Sequence, residues 1–236
     1  VAALVAVLLF FVGFVPTGAL DRHHLTMVSF WRGRHLNNAG EITHLTLSYG
    51  ATNNSLRALS DLDNLQSLGL DRTQVTDAGL VHLKAMTNLQ RLGLDNTKVT
   101  DAGLMHLKGM TNLRVLDLYS AQGTMGEVRL GHWEITDAGL VHLKGLTKLQ
   151  ELDLRGTKVT DAGLVHLKGM NLKLLGIPGP ATTDLGLKNY MAACAASRTT
   201  LGLSNWKISD AGLMHLKGLT NLKSLDLSYT QVTDAG

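Results

Sequence analysis

The sequence predicts an α/β solenoid: a curved right-handed coil with a parallel sheet on its concave side and short helices on its convex side. Three observations predict it. The 24-residue string at Thr76–Val99, TDAGLVHLKAMTNLQRLGLDNTKV, is written again from Thr100, Thr136, Thr160 and Ser209. Self-similarity at this period marks units that bury their apolar faces only against their neighbours. Leucines two apart recur once per unit, as in Leu68/Leu70 and Leu92/Leu94, which is the period of a strand. Apolar residues three apart, Leu80, Leu83 and Met86, follow the Thr-Asp-Ala-Gly string and suit one buried stripe of a short helix.

The first segment, residues 1–20, is of another kind. Val1–Val15 is apolar throughout apart from Gly13, and no charge precedes Asp21. A run of this length followed by Pro16 and the small residues Thr17-Gly18-Ala19 fits a secretory signal peptide. It fits a membrane anchor equally, since about 20 apolar residues span a bilayer. Either directs the protein to the cell envelope or out of the cell. Residues 21–40 set Arg22, Arg32, Arg34 and three histidines around Phe30 and Trp31. They read as a linker or an N-terminal cap, with a basic and aromatic character that suits anionic headgroups.

From residue 41 the repeats run to residue 236. Strand pairs fall at 45/47, 68/70, 92/94, 116/118, 152/154, 175/177, 201/203 and 225/227. Between strands, Thr76 and its equivalents stand where an N-cap belongs. Asp77 and Lys84 place opposite charges at the two helix ends. Gly109, Gly145, Gly169 and Gly218 stand where a left-handed residue ends a helix. Two stretches break the rhythm. The span from Leu118 to Thr136 is longer than its counterpart from Leu154 to Thr160, and the surplus lies within Ser120–Ile135. Asp184–Ala196 reads as a longer helix, with Leu187, Tyr190, Met191 and Cys194 facing inward. The string Thr233-Asp234-Ala235-Gly236 starts another unit, so the array is expected to continue past residue 236.

The pattern LxxLxLxxTxVTDAGLxxLKGLTN resembles the leucine-rich repeat family over roughly residues 41–236. It is most similar to the 24-residue subtype with Thr-Asp-Ala-Gly-Leu before the helix, found in bacterial repeat proteins. It is also similar to the cysteine-containing and ribonuclease-inhibitor-like repeats, including those of ubiquitin-ligase substrate receptors. Thr73, Thr97, Thr157 and Thr230 stand where those families carry Cys or Asn. The resemblance implies a scaffold that binds protein partners, and such a scaffold serves many of them.

Function is sought among the residues that flank the strand leucines, which face away from the core. The middle strands carry Arg91, Asp95, Asp117, Tyr119, Glu151, Asp153 and Arg155, the candidate partner-binding group. Arg129, His132 and Trp133 in the insertion are candidate contacts too, because insertions on repeats map to loops that often bind. Asp117 and Asp153 fall on adjacent strands if the insertion loops out. Paired carboxylates can serve acid–base chemistry or hold a cation. An open sheet offers no pocket to shift their pKa values, so they are expected to be ordinary solvated charges.

No catalytic, metal or cofactor site is assigned. His82, His106, His142, His166 and His215 recur at one position of the unit, and duplication accounts for the ladder without a ligand. No Gly-rich phosphate loop, GxSxG or HExxH string occurs. The net charge of +3 and a pI near 9.0 come from mixed charges and do not indicate nucleic acid. The single Cys194 excludes an internal disulfide. The expected function is a non-catalytic module that binds a protein partner through the concave sheet and the 120–135 loop, with the membrane met through residues 1–20. The alternatives are a substrate-recruiting adaptor of ubiquitin-ligase type and an accessory repeat region of a larger enzyme.

Overall fold

Short parallel strands alternate with short helical turns, coil upon coil. A computed structural model describes residues 31–120 and 134–236. The strands are β1 (Trp31–Leu36), β2 (Ile42–Leu47), β3 (Ser67–Gly69), β4 (Arg91–Gly93), β5 (Val115–Asp117), β6 (Glu151–Asp153), β7 (Leu174–Gly176), β8 (Thr200–Gly202) and β9 (Ser224–Asp226). The leucine at the centre of each strand meets its equivalent: Leu45 pairs with Leu68, Leu68 with Leu92, Leu92 with Leu116, Leu116 with Leu152, and Leu152 with Leu175. The insertion between β5 and β6 therefore leaves the register intact.

The opposite side is made of helical turns: α1 (Asn53–Arg57), α2 (Asp77–Leu80), α3 (Asp101–Leu104), α4 (Asp137–Leu140), α5 (Asp184–Ala193) and α6 (Asp210–Leu213). In α2, α3 and α6 the single α-turn tightens into a 3-10 turn, over Val81–Leu83, Met105–Leu107 and Met214–Leu216. A three-residue period is the natural one for that geometry. It carries Leu80, Leu83 and Met86 fully inward. One continuous core runs from Ile42 to Ile208, with leucine as its main component.

Four features go beyond the repeat pattern. First, β1 pairs antiparallel with β2 and covers what would be an open sheet edge. Second, the ribbon is not continuous: β1–β7 form one sheet and β8–β9 another. In the regular coils the carbonyl before each strand accepts two N–H groups of the next coil, as the Gln66 carbonyl does from Gln90 and Arg91. At the break the Lys173 carbonyl accepts instead from the Arg198 guanidinium, at 3.1 Å. The longer α5 makes this difference. It ends at Ala193, and Cys194 is its buried C-cap.

Third, among the glycines after the helical lysines only Gly169 has positive φ, at +82°; Gly109, Gly145 and Gly218 do not. The left-handed residue belongs to the turn after the strand, where Arg72, Asn96, Gly156, Asn205 and Tyr229 stand. The next residue, Thr73, Thr97, Thr157 or Thr230, donates its hydroxyl to the last strand leucine's carbonyl at 2.7–2.8 Å. Fourth, the aspartate of Thr-Asp-Ala-Gly does more than oppose the helix dipole. Its carboxylate crosses to the next coil, as that of Asp77 does to accept from Thr100. Among the described residues no helix is long and apolar enough to cross a membrane; residues 1–20, where a signal peptide or anchor is expected, lie outside them.

Candidate functional site

Two columns of side chains stand on the exposed face of the sheet. The strand register aligns Thr46, Gly69, Gly93, Asp117, Asp153 and Gly176 in one. Two residues further along lies the other, with Asp71, Asp95, Tyr119 and Arg155. Asp117 and Asp153 are direct partners across β5 and β6. Gly93 and Gly176 widen the space for their neighbours' carboxylates. A Cβ on Gly93 would sit 2.5 Å from Asp71 Oδ1, and one on Gly176 would strike Asp153 Oδ1.

Backbone amides at the strand ends fix the carboxylates. Asp117 accepts from the Tyr119 N–H at 2.9 Å, and Asp153 accepts from the Arg155 N–H at 3.0 Å. Asp71 accepts from the Asp95 N–H of the next coil at 3.1 Å. Arg155 grips Asp153 through Nε, at 2.9 and 3.0 Å, and through a terminal nitrogen at 2.5 Å. Its guanidinium also lies over the Tyr119 ring, 5.4 Å from the centroid. Asp95 accepts from the Asn96 side chain and stands 3.9 Å from Arg72 Nε.

Crowding changes the acidity of this row, contrary to the expectation of ordinary solvated charge. Asp95 is pushed up to about 6, first by burial and then by the negative charges of Asp117, Asp71 and Asp153. Burial also raises Asp117 and Asp71, against the lowering effect of the backbone amides they accept. The open sheet lacks a pocket, but carboxylates side by side on adjacent strands shield one another from water and repel. Asp71 belongs to this row although the sequence argument did not select it. The signal was there in the Asp71/Asp95 match one repeat apart.

Arg91 and Glu151 stand at the other end of the same strands, with Val115 between them in register. They line a polar cavity of about 250 Å³ with His44, Gln66, Gln90 and Arg114. A second cleft, of about 20 Å³, lies at the base of the insertion between Tyr119, Ser120, Glu134 and Ile135. Gly156 is required beside it: a Cβ there would overlap the Ser120 carbonyl, and its φ is +79°. The loop candidates Arg129, His132 and Trp133 lie outside the described residues. On the helical side, His106 is held below the usual histidine range by burial and by Lys84. Among the described residues no group of three or more His, Cys, Asp or Glu is placed to hold a metal ion.

The described geometry has counterparts among known proteins. A leucine-rich repeat family model matches residues 145–167 and 218–236. The crystal structure of internalin C2 from Listeria monocytogenes is similar at 28% identity and a TM-score of 0.56, over 83% of this chain and 75% of that one. An internalin (inlF) from the same organism is similar at 20% identity and a TM-score of 0.34, over 75% of this chain and 65% of that one. No curated protein matches by sequence.

Proposed function

This chain is a leucine-rich repeat protein, and we propose that it acts as a non-catalytic module binding a protein partner through its sheet face and the 120–135 loop. The leucines hold the frame. The residues between them differ from coil to coil and supply specificity. The observation that carries the reading is the gathering of Asp71, Asp95, Asp117 and Asp153, with Tyr119 and Arg155, in two adjacent columns on the sheet face that the helical turns leave open.

Repulsion within the row is relieved by a partner that brings positive charge to it, so complementarity favours a basic segment. Tyr119 and Arg155 are the residue types that most often anchor interfaces. Arg91 and Glu151 meet the same partner from the other end of the strands. Residues 1–20 direct the module to the cell envelope or the outside, as a signal peptide or an anchor.

The test is capture of a partner by the full chain, followed by affinity measurement with the Asp117→Lys and Asp153→Lys double variant and with a variant lacking residues 121–133. Both should bind at least tenfold more weakly while retaining wild-type circular dichroism. Unchanged affinity in the double variant removes the sheet face from the reading. N-terminal sequencing of the mature protein separates a cleaved signal from a retained anchor.

A further inference from the structure

The helical side of the solenoid carries a second pattern, independent of the sheet face. The residue after each Asp-Ala-Gly-Leu string is apolar yet exposed: Val81, Met105, Val141, Val165 and Met214 are between 40% and 66% accessible. Three residues on, each unit exposes a lysine: Lys84, Lys108, Lys144, Lys168 and Lys217. In the α5 coil, where the apolar position is vacant, Lys188 takes it. Nothing among the described residues neutralises these lysines. The ion pairs there, Arg72–Asp95 and Arg155–Asp153, are both on the sheet side. Asp77, Asp101, Asp137 and Asp210 have their carboxylates engaged by the next coil's threonine, and the exposed acids Asp61 and Asp63 belong to the α1 coil, which carries none of these lysines.

The molecule is thus polarised, with an acidic sheet face and a helical face of alternating apolar and cationic side chains. We propose that this helical face is a docking surface for an anionic lipid bilayer. Lysines spaced along a surface are attracted to acidic headgroups, and their apolar stems and the neighbouring Val and Met side chains enter the interfacial layer. A bilayer also suits the irregularity of the row. Val, Met, Val, Val and Met differ in length and stand out singly, and both cavities described above lie elsewhere. A fluid surface accepts each side chain separately, whereas a folded partner needs a matching relief. The bilayer would take the helical side and leave the sheet face free for its own partner.

The test is sedimentation of the full chain with vesicles of phosphatidylcholine alone and of phosphatidylcholine with phosphatidylglycerol. Residues 1–20, where retained, would add affinity for either lipid, so the readout is the preference between them. Wild type should prefer the acidic vesicles by roughly tenfold or more, and the preference should fall as salt rises. The variant with Lys84, Lys108, Lys144 and Lys168 changed to Gln should lose that preference. Val141→Ser with Met105→Ser should weaken binding to acidic vesicles severalfold. Equal partition of wild type between the two vesicles overturns the proposal, as does a lysine variant that keeps the preference. Retention on polyglutamate through the same lysines, with no vesicle preference, overturns it in favour of an acidic protein.

Discussion

Asp77 of one coil holds Thr100 of the next: the Thr100 backbone N–H and its hydroxyl each donate to the Asp77 carboxylate, at 2.7 Å. The same bridge joins Asp101 to Thr136, Asp137 to Thr160, Asp184 to Ser209 and Asp210 to Thr233. It ties neighbouring coils where the chain enters each helix, and Thr100 still caps its own helix by accepting from the Ala102 N–H at 3.2 Å. The array supplies a natural variant of the first rung. Asn53 accepts from the Thr76 N–H and donates to the Thr76 hydroxyl, both at 2.9 Å.

Asp101→Ala should therefore destabilise the array by about 1–3 kcal/mol, because the part-buried Thr136 N–H loses its acceptor. Asp101→Asn should cost much less, since an amide can reproduce the Asn53 arrangement. Urea denaturation of the two variants checks this, and an equal loss in both would show that charge, rather than hydrogen bonding, sets the strength of the rung.

At Gly103, Gly139, Gly163 and Gly212 the glycine two residues after the aspartate makes room for the preceding rung. A Cβ on Gly139 would collide with the Asp101 carboxylate and come within 3.0 Å of Leu104 Cδ1, whereas one on Gly109 would meet nothing within 4 Å. Gly139→Ala should cost about as much as losing the rung, roughly 1–3 kcal/mol. Gly109→Ala should be neutral or stabilise by about 0.4–1 kcal/mol, because Ala restricts only the unfolded chain. Thermal melts of the two variants test the contrast.

This contrast shows what the sequence could and could not convey. The leucine spacing places each central strand and core residue, because burial and period act within one unit. The pairing of Asp117 with Asp153 follows as well, once the insertion is looped out. The rungs did not follow, since an Asp beside an N-cap looks the same whether it serves its own helix or the next coil. The split between β7 and β8 was hidden likewise. There the Arg198 side chain takes the Lys173 carbonyl, and no periodicity encodes that. The raised pKa of Asp95 arises first from burial and then from the proximity of three other carboxylates, which only the stacked coils reveal.

Asp95 makes stability depend on pH in a direction opposite to that of most carboxylates. Its folded value, about 6, lies above the ordinary 3.8, so between these values the folded state binds more protons than the unfolded state. Stability from this group is lost as pH rises through 6 and is recovered as pH falls toward 4. Asp95 is partly solvated, so the effect is discounted to on the order of 1 kcal/mol. Asp95→Asn should be the more stable protein at pH 7, and the difference should vanish near pH 4. Urea midpoints of both proteins across that range give the answer; a difference that does not change with pH would mean that Asp95 is not strained by its neighbours.

Cys194 offers a reporter for the irregular coil at the sheet split. Burial pushes its thiol up to about 11 and the neighbouring Tyr190 hydroxyl up to about 12. Arg198 closes the site, donating to the Tyr190 hydroxyl at 2.7 Å, stacking 5.0 Å from its ring centroid and bonding the Lys173 carbonyl. At pH 8 a thiol-specific disulfide reagent should therefore label the native protein at least 100-fold more slowly than the urea-unfolded chain, because only the thiolate reacts. Arg198→Ala separates two effects of opposite sign. Removing the cation disfavours the thiolate and slows the chemistry, but it also opens the bridge over the split. Faster labelling of the variant, with the far-ultraviolet spectrum unchanged, identifies local opening of the α5 coil as the route to the thiol. Slower labelling would mean that the coil stays closed without Arg198 and that its contact with Lys173 is incidental.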